Sequence, residues 1–70
     1  MLTTEEIRNR TVELLKANAD GLKKEDIIKA IHGDSPETSE GTISTQVNMT
    51  ALMFPDKVRR PRRGFYVYSE

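Results

Sequence analysis

Cysteine is absent from this 70-residue chain, which therefore holds no disulfide and no thiolate metal site. Histidine occurs once, too rarely to build a zinc site with so few partners. Tryptophan is missing, and the aromatics are two Phe and two Tyr. No apolar run approaches the ~20 residues of a membrane-spanning helix, and the start does not read as a signal peptide. The expected setting is the cytoplasm or the nucleoid, away from membranes. There is no glycine-rich phosphate loop and no pairing of carboxylates that would suit acid–base work. The expectation is a protein without catalytic residues, metal, cofactor or small-molecule substrate. Net charge is lacking too, with 11 basic and 11 acidic residues. That neutrality argues against broad, purely electrostatic binding.

What is present is unevenly spread. Residues 1–40 carry six Lys/Arg and nine Asp/Glu, a balance of −3, while residues 41–70 carry five and two, a balance of +3. Such asymmetry points the basic end at an anion. Its centre is KVRRPRRGFYVYSE, residues 57–70, where Lys57, Arg59, Arg60, Arg62 and Arg63 place five cations within seven residues. Pro61 cannot donate to a strand ladder and is expected at the bend. Gly64 can adopt the positive φ that closes a short hairpin loop. Phe65, Tyr66, Val67 and Tyr68 are strand formers. A cationic loop on a two-stranded ribbon suits phosphate contact.

A chain of this length is expected to form one domain, residues 1–70, with a thin core. Thr3 and Glu6 have capping-box spacing, with Leu2 and Ile7 placed as a hydrophobic staple. A first helix is expected over about 4–19, with Ile7, Thr11, Leu14, Leu15 and Asn18 on one face. Gly21-Leu22-Lys23 reads as a short strand that pairs with the terminal hairpin, Leu22 inward. Ile27, Ile28, Ala30 and Ile31 give a second helix, about 24–31, its apolar face; His32 and Gly33 are expected to end it, His32 as a cap residue. GDSPET, residues 33–38, is a turn-rich connection. Ser35, Thr38 and Ser39 are each able to cap the next helix, and the sequence leaves the choice open.

The third helix is expected over about 39–53. Ile43, Val47, Thr50, Ala51 and Phe54 fall on its buried side. Thr42, Thr45, Gln46, Asn48 and Met49 fall on the other side and its flanks. Asn and Gln can bond adenine edges bidentately, and a Thr methyl can touch a thymine methyl. The apolar C-terminal half, Met49 to Phe54, is expected to be sandwiched between helix 1 and the hairpin, its methionines filling gaps. Phe54-Pro55-Asp56 then breaks the helix.

Three helices, a short strand after the first and a terminal hairpin make an α+β winged helix-turn-helix arrangement. The order GLKKEDIIKAI, TISTQVNMTALMF and KVRRPRRGFYVY resembles the HARE-type winged helix-turn-helix family. That family includes the delta subunit of bacterial RNA polymerase and domains attached to restriction and methylation systems. Leu22 with Ile27, Ile28 and Ile31 resembles its helix 2 core. Thr42-Ile43 with Val47 resembles the start of its third helix. Val58-Arg59 with Arg63-Gly64-x-Tyr66-x-Tyr68 resembles its wing. Pro61-Arg62 reads as an insertion in that wing. The resemblance implies that Tyr66 and Tyr68 point inward and that the chain serves nucleic-acid-linked work.

The expected function is a DNA-binding module of transcription regulation, or the targeting domain of a DNA-processing system. Its helix 3 would lie in the major groove, and its Arg-rich wing, 57–64, on phosphates or in a minor groove. Thr42, Thr45, Gln46, Asn48, Lys57, Arg59, Arg60, Arg62 and Arg63 are the expected contacts. Double-stranded DNA is the expected partner, with RNA left open. The alternative is a protein-interaction module within a nucleic-acid machine, with a protein partner or a second copy as its target.

Overall fold

The computed structural model describes residues 2–69. Its elements run α1 (Thr4–Ala17), β1 (Leu22–Lys23), α2 (Lys24–Asp34), α3 (Glu40–Met53), β2 (Val58–Arg62) and β3 (Phe65–Tyr68). The three strands form one antiparallel sheet in the order β1-β3-β2.

Helix α1 starts where the sequence places it. Thr3 Oγ1 accepts from the Glu6 N–H at 3.1 Å, and Glu6 Oε1 accepts from the Thr3 N–H at 3.0 Å. These two bonds close the capping box. Its end comes two residues earlier than the sequence suggests. Asn18 is the cap, and its side-chain amide donates to the Leu14 carbonyl at 2.8 Å.

Ile7 and Leu15 from α1, Ile27 and Ile31 from α2, Ile43 and Val47 from α3, Val58 from β2 and Tyr66 from β3 form one core. Every helix thus contributes the apolar stripe that its 3.6-residue period dictates. Thr11 and Thr50 are buried in the same stripes, each hydroxyl donating to the carbonyl four residues back. That bond removes the cost of an unpaired buried hydroxyl. Ala30, expected inward, is exposed.

Helix α2 outlasts the sequence expectation and ends at Asp34. His32 and Gly33 therefore lie within its last turn. Among the described residues Asp34 pairs with Arg10 of α1 at 2.8 Å. The connection is Ser35 to Ser39, and Ser39 caps α3: its hydroxyl accepts from the Thr42 N–H at 3.2 Å. Thr38 is instead buried in a polar chain. The Leu2 N–H donates to Thr38 Oγ1 at 3.0 Å, Thr38 and Ser35 hydroxyls meet at 2.9 Å, and Ser35 donates to Glu37 Oε1 at 2.7 Å. His32 Nδ1 lies 2.9 Å from the Thr38 carbonyl, which accepts from the ring N–H when the hydrogen is on Nδ1. This clamp fixes the five-residue turn before α3 to the start of the chain.

The Ser35 hydroxyl, and then Glu37's own backbone N–H, pull the Glu37 carboxyl down to about 2. A depressed carboxyl stabilises the fold above its ordinary value of 4.5, and that contribution fades as pH falls from there toward 2. Ser35→Ala leaves the buried Thr38 hydroxyl without its acceptor, at a cost of about 1–3 kcal/mol. It also removes the Ser35 hydroxyl from the Glu37 carboxylate. Thermal unfolding is expected to show a lower Tm for Ser35→Ala at neutral pH. The gap to the parent should narrow in acid, because protonation of Glu37 removes the larger share from the parent, where the Ser35 hydroxyl adds to the other groups that depress it.

The hairpin corrects one expectation. Pro61 is not at the bend. It lies within β2, and the register Arg59↔Val67 then Arg62↔Phe65 leaves Arg60 and Pro61 opposite Tyr66 alone. Pro61 thus sits in a β-bulge, where a strand tolerates a residue that cannot donate. The bend is Arg63-Gly64, and Gly64 has φ +73°. Tyr66 is buried, as the resemblance implies, and Tyr68 is half-buried against the core.

Candidate nucleic-acid interface

The hairpin's cations stand clear of the core because β2 alternates in one place only. Val58 is buried, while Arg59, Arg60, Pro61 and Arg62 are all exposed. The bulge interrupts the two-residue period, so the arginines after Val58 are not divided between an inner and an outer face. Lys57 and Arg63 are exposed on either side. Among the described residues no carboxylate pairs with any of these five cations.

Arg62 is nevertheless held. Its guanidinium lies 4.4 Å from the centroid of the Phe65 ring, its cross-strand partner. Phe65 in turn covers Gly21, where a Cβ would come within 2.7 Å of the ring. Gly21 has φ +95°, so both its backbone and its missing side chain serve this stack. The order Gly21, Phe65, Arg62 presents a planar, fork-shaped donor on a rigid ribbon. Such a donor suits bidentate contact with phosphate oxygens.

Two further cations join the bend. The Lys24 N–H donates to the Gly64 carbonyl at 2.9 Å, and Lys23 pairs with Phe65 in the sheet. Lys23 and Lys24 are 40 positions upstream of Arg63 and Gly64 in the chain, and the sequence reading did not select them. The signal that could have found them is the β1 pairing itself. Once Leu22-Lys23 is a strand against β3, its following residue must stand at the hairpin's end.

Helix α3 presents its chosen residues to different neighbours. Thr45 is exposed, its hydroxyl donating to the Gly41 carbonyl at 3.0 Å. Thr42 is exposed, and its hydroxyl accepts from Ser39 at 2.8 Å. Both hydroxyls already have a local partner, which leaves their methyl groups and remaining lone pairs outward. Asn48 faces the hairpin, with its Oδ1 3.5 Å from Arg60 Nη1. Gln46 is on the opposite flank, and its Oε1 accepts from Arg8 of α1 at 2.9 Å. That bond takes one of the two lone pairs of the Gln46 carbonyl and holds the side chain toward α1. Thr42, Thr45 and Asn48 thus share the outward side, and Gln46 is tied to α1.

The C-terminal half of α3 overturns an expectation. Leu52 is 65% exposed, Met53 50% and Phe54 38%. Ile43, Val47 and Thr50 occupy the inner stripe, and Leu52, five residues past Val47, is rotated by about 140° from it. The hairpin contributes only Val58 from β2 to the core, so no second layer covers the outer side of α3.

No helix among the described residues is long and apolar enough to cross a membrane, and no cluster of three or more His, Asp or Glu there could hold a metal. Compared with protein-family models, curated proteins and solved structures, the chain returns no match, and the likeness to HARE-type domains rests on its own residues.

Proposed function

We propose that this chain is a winged helix-turn-helix module that binds double-stranded DNA, with α3 as the groove-entering helix and the β2–β3 hairpin as the wing. The observation that carries this reading is the placing of five cations, none paired with a carboxylate among the described residues, beside the outward, polar half of α3. Arg60 beside Asn48 marks the seam. In this reading Thr42, Thr45 and Asn48 face base edges, while Lys57, Arg59, Arg60, Arg62 and Arg63 meet phosphates or a narrow minor groove. Lys23 and Lys24 extend the phosphate-facing strip past the hairpin's end. Work in transcription regulation, or in targeting a DNA-processing system, follows from the same reading.

The outer face of α3 lacks a cation of its own from Glu40 to Met53. Affinity must therefore come mainly from the hairpin, and base discrimination from the helix. The test is fluorescence anisotropy with duplexes of varied sequence over a salt series. With four or five phosphates contacted, log Kobs should fall against log salt with a slope of about −4. Thr45→Ala with Asn48→Ala should leave the slope unchanged and reduce discrimination between duplexes. Absent binding, or binding indifferent to salt, overturns the proposal.

A further inference from the structure

Leu52, Met53 and Phe54 are consecutive, and they are the exposed large apolar residues among those described. They form a crest between two hollows. On one side Leu52 walls a groove of about 520 Å³ with Ala51, Pro55, Val58 and Pro61. On the other, Phe54 walls a smaller hollow of about 290 Å³ together with Val12. Arg59 and Arg60 edge the first, and Lys16 and Lys57 edge the second. Among the described residues the nearby carboxylates are Glu13, in the second hollow, and Asp56, in the turn between them. Four cations therefore edge the two hollows against two carboxylates among the described residues.

We infer that this crest docks an acidic protein segment that carries apolar anchors. Leu52 and Phe54 gain from apolar partners, at roughly 25 cal/mol per Å² removed from water, and a phosphate backbone offers them none. Apolar side chains ringed by arginine and lysine match a peptide whose Leu, Ile, Phe or Trp residues are flanked by Asp or Glu. The lysines and arginines select for charge and speed the encounter, while the hollows hold the anchors. A second copy of the chain fits less well. Its acidic surface belongs to α1 and α2, whose apolar stripes are already spent on the core. The groove shares Asn48, Arg59 and Arg60 with the DNA reading, and the second hollow shares Lys57, whereas Leu52 and Phe54 belong to the peptide reading alone.

The experiment is a selection of short random peptides displayed on phage and panned on the 70-residue chain. The expected winners carry a negative charge and at least one large apolar residue. A synthetic winner should bind the parent chain, weaken as salt rises, and lose about tenfold in affinity on Leu52→Ser. Arg59→Glu should cost a similar factor without touching the apolar walls, and it covers the case in which Leu52→Ser fails to fold. Melting curves establish that each variant is folded. Four results overturn the inference: no enriched sequence, winners without acidic residues, binding indifferent to both variants, or sedimentation showing self-association of the parent that Leu52→Ser abolishes. Duplex binding measured in parallel on Leu52→Ser separates the two readings, because Arg59 serves both. A folded Leu52→Ser variant that loses DNA and peptide alike would assign the crest to DNA and overturn the inference too.

Discussion

Replacing Tyr66 with Ala is expected to cost the fold about 3–5 kcal/mol, the range for truncating a large buried aromatic. Tyr66 is 1% exposed and stands in the central strand, paired with Leu22 of β1. It lies opposite the Arg60-Pro61 bulge, so the residue that loses its ladder partner to the proline is also the sheet's deepest side chain. A domain of this size has roughly 3.5–10 kcal/mol of total stability, from about 0.05–0.15 kcal/mol per residue. The loss is therefore a large share of the whole, and at the lower end the variant does not fold at all. Tyr66→Phe keeps the ring and should stay within about 1.5 kcal/mol of the parent, as shape-conserving core changes do. Urea denaturation of the three proteins measures both effects. Tyr66→Ala with an unchanged midpoint and slope would show that β3 turns its other face to the core.

The sequence discloses this inward tyrosine for a definite reason. A strand's period of two puts Tyr66 and Tyr68 on one side, and the likeness to HARE-type wings selects that side. The start of α1 is equally legible, because a capping box is a local device whose parts are all within four residues. The end of α3 is legible from Pro55. What could not be read depends on distant parts of the chain. Pro61 fits a bend and a bulge equally well until the register of β2 on β3 is known. Leu52 and Phe54 look like core because apolar character does not report whether a covering layer exists. Gln46 reads from the sequence as a groove-facing amide, and only the fold shows Arg8, 38 positions away, on its carbonyl. The choice of Ser39 as cap, over Ser35 and Thr38, rests on a polar chain that reaches back to Leu2. Lys23 and Lys24 join the hairpin only through the strand order β1-β3-β2. In each case a local pattern admits two placements, and a tertiary contact selects one.

Arg62→Ala combined with Arg63→Ala is expected to weaken DNA binding about 30-fold at 0.15 M salt while leaving the fold in place. The magnitude comes from counterion release: two phosphates lost lower the salt slope by roughly 1.8, and 0.15 raised to that power is about 0.03. Both side chains are exposed. The contact of the Arg62 guanidinium with the Phe65 ring is worth about 0.5–1 kcal/mol at an exposed site, so the melting temperature should fall only slightly. The loss should be similar for every duplex, because phosphate contacts position a protein without reading sequence. Phe65→Ala supplies an independent check. It removes the platform on which Arg62 rests while keeping both charges, so affinity should fall by less than in the double variant, with the slope nearly preserved. Binding of an acidic peptide at Leu52 should survive the double change, since neither arginine edges that groove. Anisotropy titrations at several salt concentrations report affinity and slope together. A folded double variant with the parent's affinity and slope would take the hairpin's end out of the interface, leaving Lys57, Arg59 and Arg60 as its remaining cations on β2 and the turn before it.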